Sequence, residues 1–331
     1  MNIQQRLLEA KELSVTFRVK AGLLRAVDKI NFHVLSGETV AIVGESGSGK
    51  TTLALSLMRT SAPTEGNLYF EGHDITHFSE RALKAFRKEV QMVFQDPYSS
   101  LDPRMTVAQV IGEPLRAHFK GKVIVRRERA AQLLDNVGLS PDLLDRRASQ
   151  FSGGQRQRIA IARALALDPK VLVADEPVSA LDVSTQAQIV NLLQRIQEER
   201  QISYVLVSHD LRLVYHLATR VVVMYLGRVV EEGPCDDVVS NPQHPYTAAL
   251  LSAVPALDPA SRRDRIVLNG NPPSPIARPS GCSFHPRCPI ARPKCSVETP
   301  ELVQLSNGRN VACFFPGELQ PNIQFYLKSE G

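Results

Sequence analysis

The chain has 331 residues, 43% hydrophobic and 22% charged, with a formal net charge of +5. That balance belongs to a globular protein rather than a disordered or collagen-like one, and the length allows one large domain with an appendage or two domains. No apolar run approaches the ~20 residues of a membrane-crossing helix, and Met1-Asn2-Ile3-Gln4-Gln5-Arg6 opens no apolar signal segment, so the expectation is a chain that stays in the cytosol.

Residues 7–75 alternate like antiparallel strands, as in Ile30-Asn31-Phe32-His33-Val34 and Asn67-Leu68-Tyr69-Phe70. Inside that stretch, Val40-Ala41-Ile42-Val43 is wholly apolar, the pattern of a strand buried on both faces. It runs into Gly44-Glu45-Ser46-Gly47-Ser48-Gly49-Lys50-Thr51 and then a predicted helix over 52–58, beginning at Thr52. Strand, glycine loop and helix in that order make a phosphate cradle. The glycines let successive N–H groups turn inward on phosphate oxygens, and the helix start adds partial positive charge. Lys50 is placed for the β- and γ-phosphates, and the Thr51 hydroxyl for Mg²⁺.

A second strand, 90–94, ends at Gln95. Residues 96–150 read as helical, with segments at 107–111 and 126–139. Ser152-Gly153-Gly154-Gln155 then opens a strongly patterned helix over 156–166. Ser152 can cap it, and the glycines leave N–H groups open to a second anion. Val171-Leu172-Val173-Ala174 is a third buried strand, ending in Asp175 and Glu176. Carboxylates at such a strand end sit where open α/β sheets bind ligands. Asp175 is placed to hold Mg²⁺ and Glu176 to polarise a water for attack on the γ-phosphate. A further strand, 204–208, ends at His209. The runs 221–225 and 228–231 flank Leu226-Gly227 as a hairpin. Helix and strand alternate from 153 to 232, as in a doubly wound sheet.

Beyond Gly233 the composition changes. Asn241-Pro242-Gln243-His244-Pro245-Tyr246-Thr247 leads into one short helix, and prolines then become dense at 272, 273, 275, 279, 286, 289 and 293. Long helices are excluded there. Four cysteines, Cys282, Cys288, Cys295 and Cys313, lie in this tail, while Cys235 stands apart. Clustered thiols in a cytosolic chain point to metal rather than disulfides. The spacing is looser than the usual zinc pairs, and unligated thiols also remain open.

The phosphate loop, Gln95, Phe151-Ser152-Gly153-Gly154-Gln155 and Asp175-Glu176 together resemble the ATP-binding-cassette (ABC) family. The resemblance implies an α/β P-loop NTPase cassette: a RecA-like doubly wound core, an antiparallel β subdomain and a helical signature subdomain at about 96–160. It implies that Gln95 touches Mg²⁺ or the lytic water and that His209 hydrogen-bonds the γ-phosphate. Ser179-Ala180-Leu181-Asp182 matches the family's inter-subunit loop, with Asp182 at its end. Phe17 either stacks on adenine or belongs to the core. Two cassettes would pack head to tail, each signature closing on the other's γ-phosphate, and the partner is a paralogue or a second copy.

The tail resembles that of ATPase subunits of dipeptide and oligopeptide importers, through Gly281-Cys282-Ser283-Phe284-His285-Pro286-Arg287-Cys288 and His244-Pro245-Tyr246-Thr247. That resemblance implies a [4Fe–4S] cluster on the four cysteines, with zinc as the alternative. The chain would divide into a nucleotide-binding domain at 1–255 and a Pro/Cys-rich extension at 256–331. Its function would be to power import of peptides, or of glutathione, a nickel complex or another small solute. It would sit peripherally on the cytoplasmic face of the membrane, under two permease subunits served by an extracytoplasmic binding protein. A ribosome- or DNA-directed ABC ATPase is the rival. No nucleic-acid partner is expected, because the basic run at 126–129 is mixed in sign and carries no base-stacking aromatics.

Overall fold

The computed structural model describes residues 6–119, 123–254, 265–268, 270–306 and 308–320. Strands β1 (Arg6–Val19) and β2 (Gly22–Leu35) form an antiparallel hairpin. Leu8, Ala10, Leu13 and Val15 are buried on β1, the alternation slipping at a bulge between Ala10 and Leu13. Strand β3 (Thr39–Val43) is buried at every residue, as a doubly covered strand must be. It hands over through the glycine loop to α1 (Lys50–Leu57). Strands β4 (Glu65–Phe70) and β5 (His73–Asp74) complete a four-stranded antiparallel sheet in the order β2-β1-β4-β5.

Helix α2 (Leu83–Glu89) leads into β6 (Val90–Val93), followed by α3 (Pro97–Ser100), α4 (Val107–His118), α5 (Val123–Asn136) and α6 (Gly153–Ala164). Val110, Ile111, Leu133, Leu134, Ile159 and Ile161 join one buried cluster that continues into the sheet. A capping box starts α4: the Thr106 hydroxyl accepts from Gln109 N–H, and the Gln109 side chain accepts from Thr106 N–H. The pattern predicts a helix to residue 139, but α5 ends at Asn136. Gly138 takes a φ of 73° there, and Leu139 N–H reaches back to the Leu134 carbonyl.

Then β7 (Val171–Asp175), α7 (Val183–Arg200), β8 (Ser203–Ser208), α8 (Leu211–Leu217) and β9 (Arg220–Tyr225) alternate. Strand β10 (Arg228–Pro234) folds back on β9. Leu226 and Gly227 both have positive φ, 45° and 78°, the geometry of a two-residue hairpin turn. After α9 (Cys235–Ser240) and α10 (Pro245–Ser252), the tail contributes α11 (Pro293–Val297), β11 (Val303–Gln304) and β12 (Asn310–Val311). The second sheet is ordered β11-β12-β10-β9-β3-β8-β7-β6. Its β9-β3-β8-β7-β6 portion is parallel. The C-terminal ends of β3, β8, β7 and β6 therefore lie side by side, the position at which such sheets bind ligands.

The proline-rich tail is held by the cassette. Strand β12 pairs with β10 at Glu231↔Val311 and Glu232↔Asn310. Buried Glu231 accepts from Gln243 N–H at 2.8 Å and His244 N–H at 2.9 Å. Arg309, 2% exposed, donates to the Asp237 and Asn241 carbonyls, both at 2.7 Å. The division at 255/256 falls outside the described residues. Among the described residues no helix is long and apolar enough to cross a membrane.

Candidate nucleotide site

Four strand ends build the cleft. After β3 the chain enters the glycine loop, where Gly44 and Gly49 take φ of 152° and 102°. A Cβ at Gly49 would stand 2.1 Å from the Ala26 carbonyl, so only glycine fits. Lys50 Nζ donates to the Gly44 and Glu45 carbonyls at 2.8 and 2.9 Å, which fixes the ammonium over the loop. Burial pulls Lys50 below its ordinary pKa, while Glu176, Asp175 and Glu45 hold it charged.

Thr51 Oγ1 donates to Asp175 Oδ1 at 3.4 Å. These are adjacent oxygen donors of the kind Mg²⁺ takes. Burial raises the Asp175 pKa, opposed by the Thr51 hydroxyl, reinforced by Glu176 and opposed by Lys50. Glu176, just beyond β7, has a φ of 45°, a region rare outside glycine. Its N–H is held by the Val207 carbonyl of β8 at 2.8 Å. One carboxylate oxygen accepts from Gln95 Nε2 at 2.8 Å, and the other lies 3.0 Å from His209 Nδ1. Three residues distant in sequence thus meet on one carboxylate.

Ser46, Gly47, Gly49, Lys50, Thr51, Thr52, Gln95, Glu176 and His209 line one cleft of about 720 Å³. Leu24, Arg25, Ala26 and Pro275 line it too. Phe17 is 40% exposed, on β1 opposite Leu24, and so lies outside the core.

The signature lies elsewhere. Ser152 caps α6: its hydroxyl accepts from Gln155 N–H at 3.3 Å, and Gln155 Oε1 accepts from Ser152 N–H at 3.1 Å. A Cβ on Gly154 would stand 2.3 Å from Thr185 Cγ2, so the signature abuts the start of α7. Asp182 caps that helix, accepting from Ser184 Oγ, Thr185 N–H and Thr185 Oγ1 at 2.6–2.9 Å. Those bonds hold its pKa at about 2. Among the described residues lining the cleft, none belongs to Ser152, Gly153, Gly154, Gln155 or Asp182.

Cys282, Cys288, Cys295 and Cys313 converge on one small cavity with His244 and Phe284. Burial pushes the Cys288 and Cys313 thiols up to about 11 and raises Cys282. No group of three or more His, Cys, Asp or Glu among the described residues is formed as a metal-ion shell. The expected cluster or zinc ion therefore has converging donors but no assembled shell among the described residues. Cys235 is 2% exposed and apart from them.

Sequence reasoning missed Arg287, whose guanidinium grips Glu45 of the loop at 2.7 and 3.0 Å, and Pro275 on the cleft wall. The segment Gly281 to Cys288 held the available signal for Arg287, and Tyr246 of the His-Pro-Tyr-Thr segment reaches the same loop residue, its Oη accepting from Glu45 N–H at 2.7 Å.

The description "ABC transporter" matches residues 27–179, and "Oligopeptide/dipeptide transporter, C-terminal region" matches 230–295. The chain is 50% identical over 314 residues to a probable peptide ABC transporter ATP-binding protein, y4tS, of Sinorhizobium fredii, covering 93% of this chain and 89% of that one. It is 49% identical to the dipeptide transport ATP-binding protein DppF of Haemophilus influenzae, covering 93% and 96%. The oligopeptide transport ATP-binding protein AppF of Bacillus subtilis is 47% identical, covering 94% and 97%. Among solved structures, the dimeric cassette MJ0796 in a post-hydrolysis state with ADP and phosphate matches at 31% identity and a TM-score of 0.64, covering 69% of this chain and 98% of that one. CbiO1 from Clostridium perfringens matches at 31% and 0.63, covering 71% and 91%.

The fold and the cleft are those of an ABC ATPase, an enzyme that hydrolyses ATP. Within that class the chain belongs to the family of transporter ATP-binding proteins carrying the oligopeptide/dipeptide C-terminal region.

Proposed function

We propose that this chain hydrolyses ATP in the cleft beside β7 and thereby drives import of dipeptides, oligopeptides or similar small solutes through two permease subunits. It would act peripherally, on the cytoplasmic face of the membrane, with an extracytoplasmic binding protein delivering solute. The carrying observation is Glu176 held between Gln95 and His209 beside the phosphate loop, in a chain matched through its tail by dipeptide and oligopeptide transport proteins.

In this reading the N–H groups of 44–49 and Lys50 hold the β- and γ-phosphates. Thr51, Asp175 and Gln95 bind Mg²⁺, and Thr52 lines the phosphate end. Glu176 accepts the proton of the attacking water, aimed by Gln95 and His209, a contribution of about 10²–10⁴-fold. Phe17 meets the adenine at the mouth. Ser152 to Gln155 and Asp182 serve the cleft of a second cassette, a paralogue or another copy. The nucleotide-binding domain is taken as 1–255 and the extension as 256–331.

Four thiols around one cavity, in a tail of the oligopeptide/dipeptide type, support a [4Fe–4S] cluster, with zinc as the alternative. When bound, the cluster would supply a structural cross-link for a segment with little core of its own. Iron, zinc and sulfide content with the visible spectrum, on anaerobically purified protein, tests this. About four irons per chain are expected, and stoichiometric zinc or no metal would overturn it. The transport reading is tested in vesicles holding the permease and binding protein. Peptides should stimulate ATPase activity, and stimulation only by glutathione or a nickel complex would move the substrate to the alternative.

A further inference from the structure

The sheet and the cleft do not account for Arg287. It lies between Cys282 and Cys288 of the thiol cavity's rim, in a turn whose Phe284 packs on Tyr225, Tyr246 and His244 at ring separations of 5.3–5.6 Å. Its side chain, 7% exposed, reaches across to Glu45 with two parallel bonds of 2.7 and 3.0 Å. A bidentate guanidinium–carboxylate pair is a strong and directional contact. The same residue of the loop is tied at its N–H by Tyr246, and its carbonyl accepts from Lys50. Glu45 is thus fixed at three groups, its N–H, its carbonyl and its carboxylate, two of them held by the chain beyond residue 240.

An acid in a phosphate loop is electrostatically wrong for its task. A free Glu45 carboxylate would face a polyphosphate and compete for Lys50, with which it already interacts. Arg287 pairs with that charge, and Glu45 is not among the described residues that line the cleft. We propose that Arg287 is a positioning residue for the phosphate loop, so that the cysteine-bearing turn sets the affinity of the cleft for nucleotide. The inference rests on the ATPase reading: the anion it serves is the β,γ-phosphate end of ATP.

The test titrates the purified full chain with mant-ATP and measures KM and kcat with its permease partners. Arg287→Met should raise Kd and KM together by about 2–30-fold, the range of coupling through a packed network. The kcat should stay close to wild type, because Glu176, Gln95 and His209 are untouched. Arg287→Lys keeps the charge but loses the fork and should recover part of the affinity. In a Glu45→Gln background the Arg287→Met change should have little further effect, because the charge it neutralises is gone. An unchanged Kd, or an equal loss in both backgrounds, overturns the proposal and leaves Arg287 as a tail anchor only. If Arg287→Met does not fold, the Lys variant carries the same comparison in both backgrounds. A wild-type chain that bound no nucleotide would instead sink the ATPase reading.

Discussion

Replacing Glu176 with Gln isolates the chemistry of the cleft from its architecture. The amide has the carboxylate's length, and its oxygen can still accept from Gln95 Nε2, now at 2.8 Å. The strand bond from Glu176 N–H to Val207 is a backbone contact and is unaffected. What disappears is one negative charge and the ability to take a proton. General-base help is worth about 10²–10⁴-fold, or roughly 2.7–5.4 kcal/mol of activation free energy at 1.36 kcal/mol per tenfold. The loss should fall on kcat, since Lys50, Thr51 and Asp175 keep their places. Mg-ATP binding should hold or tighten, because a charge repelling the phosphates has gone. Steady-state phosphate release by the assembled transporter reads the first effect, and mant-ATP titration the second. A kcat reduced by far less than the ~10²-fold lower bound would remove Glu176 from its role, and lost nucleotide binding would show the substitution had disturbed the loop.

Asp28, 5% exposed, joins Arg228 of β10 and Arg278 of the tail at 2.8 and 2.5 Å. Burial raises its pKa, but the two arginines outweigh burial and hold it below the ordinary value. Its contribution is therefore present above pH ~4 and is lost as pH falls through the depressed pKa. Asp28→Asn leaves two half-buried guanidiniums without their carboxylate and should cost about 1–3 kcal/mol; chemical denaturation at pH 7 measures it, and the gap from wild type should shrink in acid. Ser152→Ala removes the α6 cap and should cost about 1 kcal/mol of stability. It should also abolish ATPase activity while leaving mant-ATP affinity intact, because Ser152 lies outside this chain's own cleft. By light scattering the chain should be monomeric without nucleotide, and with Glu176→Gln and ATP it should pair, with another copy or its paralogue. A tight dimer without ATP would refute the reading that the signature waits for a phosphate.

The parts of the site that end strands were legible in sequence, and those built by tertiary approach were not. An all-apolar run followed by Gly44 to Thr51 announces strand, loop and helix, because each element carries its own local signal. Gln95, Glu176 and His209 could be placed at strand ends, but their meeting on one carboxylate depends on the strand order β3-β8-β7-β6. No local signal carries that order. Helix ends moved by two or three residues where a cap decided them: Ser152 starts α6 at Gly153, ahead of the apolar pattern, and Gly138 stops α5 early. The tail was least legible. Its prolines exclude long helices, and its fastenings are pairs such as Glu45–Arg287 that no periodicity encodes. Four cysteines read as one metal site, and the structure brings them round one cavity with no metal-ion group formed among the described residues.

The tail is fastened to the cassette at the β10–β12 pairing, at the Asp28 clasp and at the Glu45 clasp. Two of the three adjoin residues that line the nucleotide cleft. Arg278 of the second clasp also donates to the carbonyl of Arg25, which lines the cleft, and Pro275 lines it directly. Binding free energies between linked sites are reciprocal. If tail contacts strengthen ATP binding by some factor, ATP must strengthen the docking of the tail by the same factor. Ligand stabilisation of that kind grows with nucleotide concentration relative to Kd. Protease resistance of the segment 270–320 should then rise with ATP in the wild-type chain and fail to rise in Arg287→Met. A merely adhesive tail, docked on the far side of the sheet from the phosphates, would show no such dependence.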